Sequence, residues 1–360
     1  MYAIDGIQNI APFSMEKDDK EKFLTSILSD LTLHHYANCK EYKRLIDAWP
    51  FNPFIIGSYY DIPYLPVRLF KEFDLRSISS SEVIKQMTSS GTTGQKVSKI
   101  FLDKETATNQ TKILTKIISD FIGTKRIPMI ILDTKAVLKD RNLFSARGAG
   151  ILGFSIFGSD KMYALDEEMQ IDFKSLEEFL DNHKGEPILL FGFTFMVWQY
   201  FYKAMVEHGK KLDLSNGILI HGGGWKKLTD EMVDNNTFKN MFKSLCGISR
   251  IYNYYGMVEQ TGTIYMECEK GHLHTSIFSD VIIRDPKDFS VAPLESEGLI
   301  EVVSVLPKSY PGHVLLTEDL GKILGQDDCP CGRKGKYFSI SGRIKNAEIR
   351  GCSDVYATRF

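Results

Sequence analysis

The apolar positions of this chain follow two rhythms, and the change between them falls near residue 260. Before it, compact apolar runs alternate with helically spaced ones. The runs Ile127 to Asp133, Ile188 to Gly192, Ile218 to Ile220 and Ile251 to Tyr255 read as strands buried in a parallel sheet. Residues 20–37 read as a helix, because Phe23, Leu24, Ile27, Leu28 and Leu31 recur on one face. Asp172 caps a second helix carrying Phe173, Leu176, Phe179 and Leu180, with Gly185 just past its end. An aromatic helix through Trp198 and Tyr202 and a helix from Asp230 to Leu245 complete the alternation. The segment Ile62-Pro63-Tyr64-Leu65-Pro66 breaks any helix. After residue 260 the segments are short and β-rich: Gly298 to Ser304, His313 to Thr317 and Lys336 to Ile340. The pattern predicts an α/β fold of mostly parallel sheets with helices, followed by a smaller, more antiparallel subdomain.

Composition narrows the class. The chain has 360 residues, 43% of them hydrophobic, enough for a large core and more than one subdomain. Its net charge is -2, so no global basic field points to nucleic acid. Met1 to Pro12 lacks a cationic stretch followed by an apolar core, and no apolar run is long enough to span a bilayer. The expectation is a cytoplasmic protein without a membrane span, whose six cysteines stay reduced. Metal binding and thiol chemistry are then the uses open to Cys39, Cys246, Cys268, Cys329, Cys331 and Cys352.

The densest chemistry lies in Thr88-Ser89-Ser90-Gly91-Thr92-Thr93-Gly94-Gln95-Lys96. Glycines let successive backbone N–H groups converge on one anion, hydroxyls add donors, and Lys96 adds a point charge. The loop suits a polyphosphate but lacks the Walker A spacing. Three further segments follow in order: Tyr255-Gly256-Met257-Val258-Glu259, Thr317-Glu318-Asp319-Leu320-Gly321 and Ser341-Gly342-Arg343-Ile344-Lys345.

Together these four segments resemble the core motifs of the adenylate-forming superfamily of acyl-CoA ligases, luciferases and adenylation domains, over roughly residues 60 to 350. The resemblance implies that ATP and a carboxylic acid form an acyl-adenylate, and that the acyl group then passes to a thiol. It places Ser89, Ser90, Gly91, Thr92, Thr93, Gly94 and Lys96 around the β- and γ-phosphates. Glu259 matches the carboxylate that holds Mg²⁺, a hard cation that prefers oxygen ligands. Tyr255, followed by Gly256, matches the aromatic that stacks on adenine. Asp319 matches the acceptor for both ribose hydroxyls, and Arg343 the arginine that meets the ribose or α-phosphate. Gly222, Gly223 and Gly224 permit close approach of backbone to a flat ring, as in the adenine-contacting loop of such enzymes.

The segment His221-Gly222-Gly223-Gly224-Trp225-Lys226 resembles more narrowly the acyl-protein synthetases of bacterial bioluminescence fatty acid reductase complexes. There a cysteine near the C-terminus accepts the acyl group, and Cys352 in Arg350-Gly351-Cys352-Ser353 stands at the matching position. Superfamily members usually carry a further domain of about a hundred residues after the hinge arginine. Here 15 residues follow Lys345, so the resemblance implies either a helping protein or an acceptor thiol within the chain. The expected organisation is a helical region over 1–60, an α/β adenylation core over 61–260, a β-rich subdomain with the hinge over 261–345 and a tail over 346–360.

The segment Cys329-Pro330-Cys331-Gly332-Arg333 departs from the luminescence pattern and resembles phenylacetate-CoA ligases. With Cys268, His272 and His274 it supplies thiolates and imidazoles, the preferred ligands of zinc. The expected set for a structural Zn²⁺ is Cys268, His274, Cys329 and Cys331, with His272 as substitute. Three readings of the whole remain: an acyl-protein synthetase with an acyl-CoA reductase-like partner, a ligase serving coenzyme A or a carrier protein, and a non-catalytic nucleotide-binding subunit. Phe191, Phe193, Phe195, Met196 and Trp198 are candidates for an acyl pocket or for core, and Arg147-Gly148-Ala149-Gly150 for a loop.

Overall fold

The computed structural model describes residues 9–89, 96–138, 146–225 and 228–344. Its helices are α1 (Lys17–Asn38), α2 (Lys40–Asp47), α3 (Leu69–Glu72), α4 (Lys104–Ile122), α5 (Ala146–Ser155), α6 (Phe173–Asn182), α7 (Thr194–Met196), α8 (Lys203–Glu207) and α9 (Asn235–Cys246). The early strands are β1 (Leu65–Pro66), β2 (Lys85–Thr88), β3 (Lys99–Leu102), β4 (Ile127–Thr134), β5 (Gly158–Leu165), β6 (Ile188–Phe193), β7 (Gly217–Gly222) and β8 (Arg250–Tyr255). The later strands are β9 (Tyr265–Glu267), β10 (Leu273–His274), β11 (Ser279–Arg284), β12 (Gly298–Ser304), β13 (Val314–Gln326) and β14 (Lys336–Arg343). The described residues fall into two compact units.

One unit takes in Ser89 and residues 122–138, 146–225 and 228–255. Its strands run in the order β8-β7-β6-β4-β5, and every pairing is parallel. All residues of β4, β6 and β7 are buried, which is why each reads as an unbroken apolar run rather than an alternation. Leu190, Leu219, Trp198, Phe201 and Phe242 form the centre of its main core. Helix α9 starts where Asp234 accepts hydrogen bonds from the backbone of Asn236 and Thr237, and ends at Gly247 in the left-handed region. It therefore begins at Asn235, five residues after the expected Asp230. The segment Arg147 to Gly150 is helical, inside α5, and not a loop. Arg147 is buried there in a two-point ion pair with Asp133 at the end of β4, which fastens the helix to the sheet.

The other unit takes in residues 9–88, 96–121 and 256–344. Its strands run β11-β12-β13-β14-β10-β9, all antiparallel, with β1 added in parallel to β13 and a separate β2-β3 pair. Strands β13 and β14 extend well beyond the expected His313 to Thr317 and Lys336 to Ile340, because they continue as a half-exposed ribbon of mixed polarity. The interior here is partly ionic. Asp280 on β11 meets Lys336 of β14 at 2.6 Å and Lys20 of α1 at 3.3 Å, and accepts from the Tyr59 hydroxyl. Burial works against the Asp280 carboxylate, but the two lysines overcome it and hold its pKa down at about 2. A second buried group packs His35 against His313, the rings tilted with centroids 4.8 Å apart.

Candidate active site and sulfur cluster

Of the expected phosphate loop, Ser90, Gly91, Thr92, Thr93 and Gly94 lie outside the described residues, as do Lys226, Lys345 and Cys352. Lys96 is exposed, and its ammonium rests on the Glu72 carboxylate at 2.6 Å. Both partners are solvated, so the pair is readily exchanged for another anion.

In the β-rich unit the structure brings three of the expected residues into one electrostatic neighbourhood. Asp319 and Arg343 face each other across the β13-β14 ladder, and Arg343 Nε donates to Asp319 Oδ1 at 2.7 Å. Asp319 is mostly covered and Arg343 is open to solvent. Glu259 sits in a short 3₁₀ turn, Val258–Gln260, and is only 5% exposed. Burial pushes its carboxyl up from the ordinary glutamate range, and Ser98 hydrogen bonding and then the Arg343 charge only partly offset this. The turn is held rigidly. Gln260 donates its amide to the Gly312 and Val302 carbonyls at 2.8 and 3.1 Å, and the Tyr310 hydroxyl donates to the Glu259 carbonyl at 2.9 Å. A side chain at Gly312 would stand 2.9 Å from that same carbonyl, which explains the glycine. The site thus offers a buried carboxyl beside an acid–guanidinium pair suited to hydroxyls and phosphate.

In the parallel-sheet unit, Gly222 ends β7 opposite Tyr254 of β8. A Cβ at Gly222 would lie 2.6 Å from the Tyr254 ring, so the flat ring that this glycine admits is the protein's own. Gly223 and Gly224 have φ of 83° and 58°, a turn that side chains resist. The Phe193 ring fills the space beside Gly223 and Gly150, where a Cβ on either would come within 2.9 Å. Phe191 stacks on Phe154 at 4.1 Å. Phe195 and Met196 pack with Leu165 and Met169, and Trp198 with the main core, so these three are core residues. Tyr255 is half-buried at the end of β8 and Gly256 is exposed. Sequence reasoning passed over Tyr254, although its register opposite the first glycine follows from pairing two adjacent parallel strands.

The fold brings four of the expected cysteine and histidine side chains together. The ligand atoms of Cys268, His274, Cys329 and Cys331 all lie within 4.8 Å of one another. The Cys268 and Cys329 sulfurs are 4.0 Å apart, and Cys331 Sγ lies 3.4 Å from His274 Nε2. A tetrahedral centre with Zn–S about 2.3 Å and Zn–N about 2.0–2.1 Å has edges of about 3.8 and 3.5 Å, so the set fits zinc. Burial pushes the metal-free Cys329 thiol up to about 12. The His274 ring is oriented by stacking on Tyr337 at 5.7 Å rather than by a partner on Nδ1, which is buried without one. His272 Nδ1 lies 3.3 Å from Cys329 Sγ, outside the set of four.

The fold is shared with solved structures of known chemistry. An open form of 2-hydroxyisobutyryl-CoA ligase, bound to 2-HIB-AMP and CoA, superimposes with a TM-score of 0.71 over 93% of this chain and 77% of that one, at 15% identity. At that identity the likeness is one of fold, and the fold class is that of this ligase. Within that class, the profile of the family described as acyl-protein synthetase, LuxE, matches residues 3–360, and the chain belongs to this family. It is 23% identical to the long-chain-fatty-acid–luciferin-component ligase of Vibrio harveyi over 344 residues, 93% of this chain and 87% of that protein. It is 33% identical over 85 residues to the ligase of the same name from Photorhabdus luminescens, 24% of this chain and 72% of that sequence. As a member of this family it is an acyl-protein synthetase, a ligase that activates a carboxylic acid. Among the described residues no helix is long and apolar enough to cross a membrane.

Proposed function

We propose that the protein activates a long-chain fatty acid with ATP and carries the acyl group on Cys352 for a reductase-type partner. The observation that carries this reading is the family match along residues 3–360, which spans both the buried Glu259 neighbourhood and the cysteine. In the first step a carboxylate oxygen attacks the α-phosphorus of ATP. The bond to the β,γ-phosphates breaks and pyrophosphate leaves, giving a mixed anhydride. Asp319 accepts the ribose hydroxyls, and Arg343 turns toward the charge that develops on the α-phosphate. Glu259 would hold Mg²⁺, which supplies charge neutralisation for the crowded phosphates. In the second step the Cys352 thiolate attacks the acyl carbonyl, the bond to AMP breaks, and a thioester remains. The thiolate is the reactive form, and the neighbouring Arg350 favours it. Cys268, His274, Cys329 and Cys331 hold a structural Zn²⁺ that takes no part in the reaction. Soluble placement in the cytoplasm follows from the same reading.

Intact mass after incubation with ATP, Mg²⁺ and fatty acids of graded length, beside Cys352→Ala, tests this. A gain of one acyl group that disappears in the variant supports the reading, provided the variant still exchanges pyrophosphate into ATP in an acid-dependent way. A gain that survives the variant, or acid-dependent ATP use with coenzyme A as the sole acceptor, overturns it.

A further inference from the structure

Polar nitrogens outside the ligand set surround the cluster sulfurs. The Lys270 backbone N–H donates to Cys268 Sγ at 3.4 Å, two residues on in a tight turn. His272 presents Nδ1 to Cys329 Sγ at 3.3 Å. Arg333 stands two residues after Cys331 in the same loop, and the two side chains interact electrostatically. These groups differ in kind: a main-chain amide, an imidazole and a guanidinium. A neutral thiol is a weak acceptor, and three of them would gain little from such an arrangement. Three thiolates on a dication carry an excess negative charge, and N–H donors spread it.

We infer that His272 and Arg333 are outer-sphere donors of a closed three-thiolate, one-imidazole zinc site, each tuning one sulfur, and that Arg333 ties the site to the end of α4. The inference rests on the structural zinc proposed above. The second half follows from what else holds Arg333. Its guanidinium lies over the Phe121 ring at 4.1 Å and over Phe13 at 5.7 Å. It donates to Asp120 at 2.9 Å, in the last turn of α4, and to Glu269 at 3.0 Å. One planar side chain therefore spans the sulfur loop, the α4 terminus and the turn between β9 and β10. Arginine suits this task because its five donors sit in a fixed fork and its face stacks on aromatics. His272 is likewise oriented, stacked on Tyr337 at 4.8 Å, so its donor is aimed before metal arrives.

The test uses the full chain and reads metal, independently of ligase activity. Zinc content is measured after purification in metal-free buffer, and the rate of zinc transfer to a colorimetric chelator is followed. The wild type is expected to hold one zinc per chain. His272→Phe and Arg333→Met are expected to keep that stoichiometry and lose metal about 10–100-fold faster, the usual cost of removing an outer-sphere partner. Arg333→Lys, which retains the charge but not the fork, should fall between. Lys334→Met, whose partner is the exposed Glu16, should match the wild type. Cobalt substituted for zinc should show tetrahedral thiolate bands that shift in the two donor variants. A wild type that binds no zinc at equimolar metal overturns the zinc reading and this inference with it. One zinc with unchanged release and unchanged cobalt spectra in both donor variants overturns the inference alone. Neither result bears on acyl transfer, which the mass experiment decides separately.

Discussion

The two compact units solve the same burial problem with different materials. The parallel-sheet unit is stabilised by apolar strands and aromatic stacking, and its one buried ion pair in the described residues, Asp133 with Arg147, serves to fasten a helix. The β-rich unit buries charge throughout: Lys20, Asp280 and Lys336 in one network, Arg284 with Glu301 in another, imidazoles and thiols besides. The difference teaches where each unit is vulnerable. An apolar core loses stability in proportion to the volume removed. A polar core loses it when one partner leaves the others without compensation.

The largest effect should follow from Asp280→Ala. It strands two buried ammonium groups and removes the acceptor of the Tyr59 hydroxyl. A loss of about 3–5 kcal/mol is expected, the range for breaking a buried pair from one side. Hydrogen exchange should show the loss in β11 and β14 while β4 and β6 keep their protection. Uniform loss across both units would erase the contrast drawn here. Replacing all three, as Lys20→Met, Asp280→Leu and Lys336→Met together, should recover part of the loss, because no unpaired charge remains.

Leu190→Ala in β6 is the matching probe of the apolar unit. Leu190 is fully buried in a strand whose every residue is buried, so the site can collapse little. A loss of about 3 kcal/mol is expected from transfer and cavity terms, read from denaturant midpoints. No double replacement rescues it as charge removal rescues the ionic network, since no partner is left uncompensated.

Acid should test both units through buried histidines. Burial holds His313, in the β-rich unit, and His221, in the parallel-sheet unit, down at about 3. Below the ordinary pKa of about 6.5 the unfolded chain takes up protons that the folded one refuses. Stability is therefore intact above pH 6.5 and falls as pH drops toward 3, by about 1.4 kcal/mol per unit for each such histidine. His221→Gln should flatten the fall in the parallel-sheet unit and His313→Gln in the other. A double variant with an unchanged slope would exclude both groups as its source.

Legibility in the sequence divides along the same line. Strands β4, β6 and β7 could be read because burial on both faces leaves almost only apolar residues, and with the partly exposed β8 they lie within two residues of their expected ends, whereas β5, exposed over Ser159 to Lys161, gives no such run. The sulfur cluster could be read because metal ligands are few and their spacing is tight. The ionic network could not. Lys20, Asp280 and Lys336 look like any surface charges, and only the pairing of α1, β11 and β14 brings them together over separations of up to 260 residues. Arg147 lies in a helix rather than the expected loop for the same reason: a run of Arg, Gly, Ala and Gly signals a turn, and tertiary pairing with Asp133 overrides it. The helix expected from Asp230 begins at Asn235 because Asp234 caps it, and the sequence carries an aspartate at both places.

The smallest effect settles that last choice. Asp234 accepts from the Asn236 and Thr237 backbone N–H groups at 2.9 and 3.0 Å and from the Thr237 hydroxyl. These bonds hold its carboxyl below the usual aspartate range. The residue is at the surface, so Asp234→Ala removes a cap without opening a cavity. A loss of about 1 kcal/mol is expected, whereas Asp230→Ala should change stability by less than about 0.5 kcal/mol. Asp234→Asn should retain most of the cap, since an amide oxygen still accepts from the same two donors. Because α9 supplies Phe238 and Phe242 to the apolar core, fraying at its start should loosen the Trp198 and Trp225 packing first, and tryptophan fluorescence would report it. Equal losses at Asp230 and Asp234 would mean that helix formation extends to the earlier residue in solution, and the hydrophobic spacing from Asp230 onward would have been the better guide.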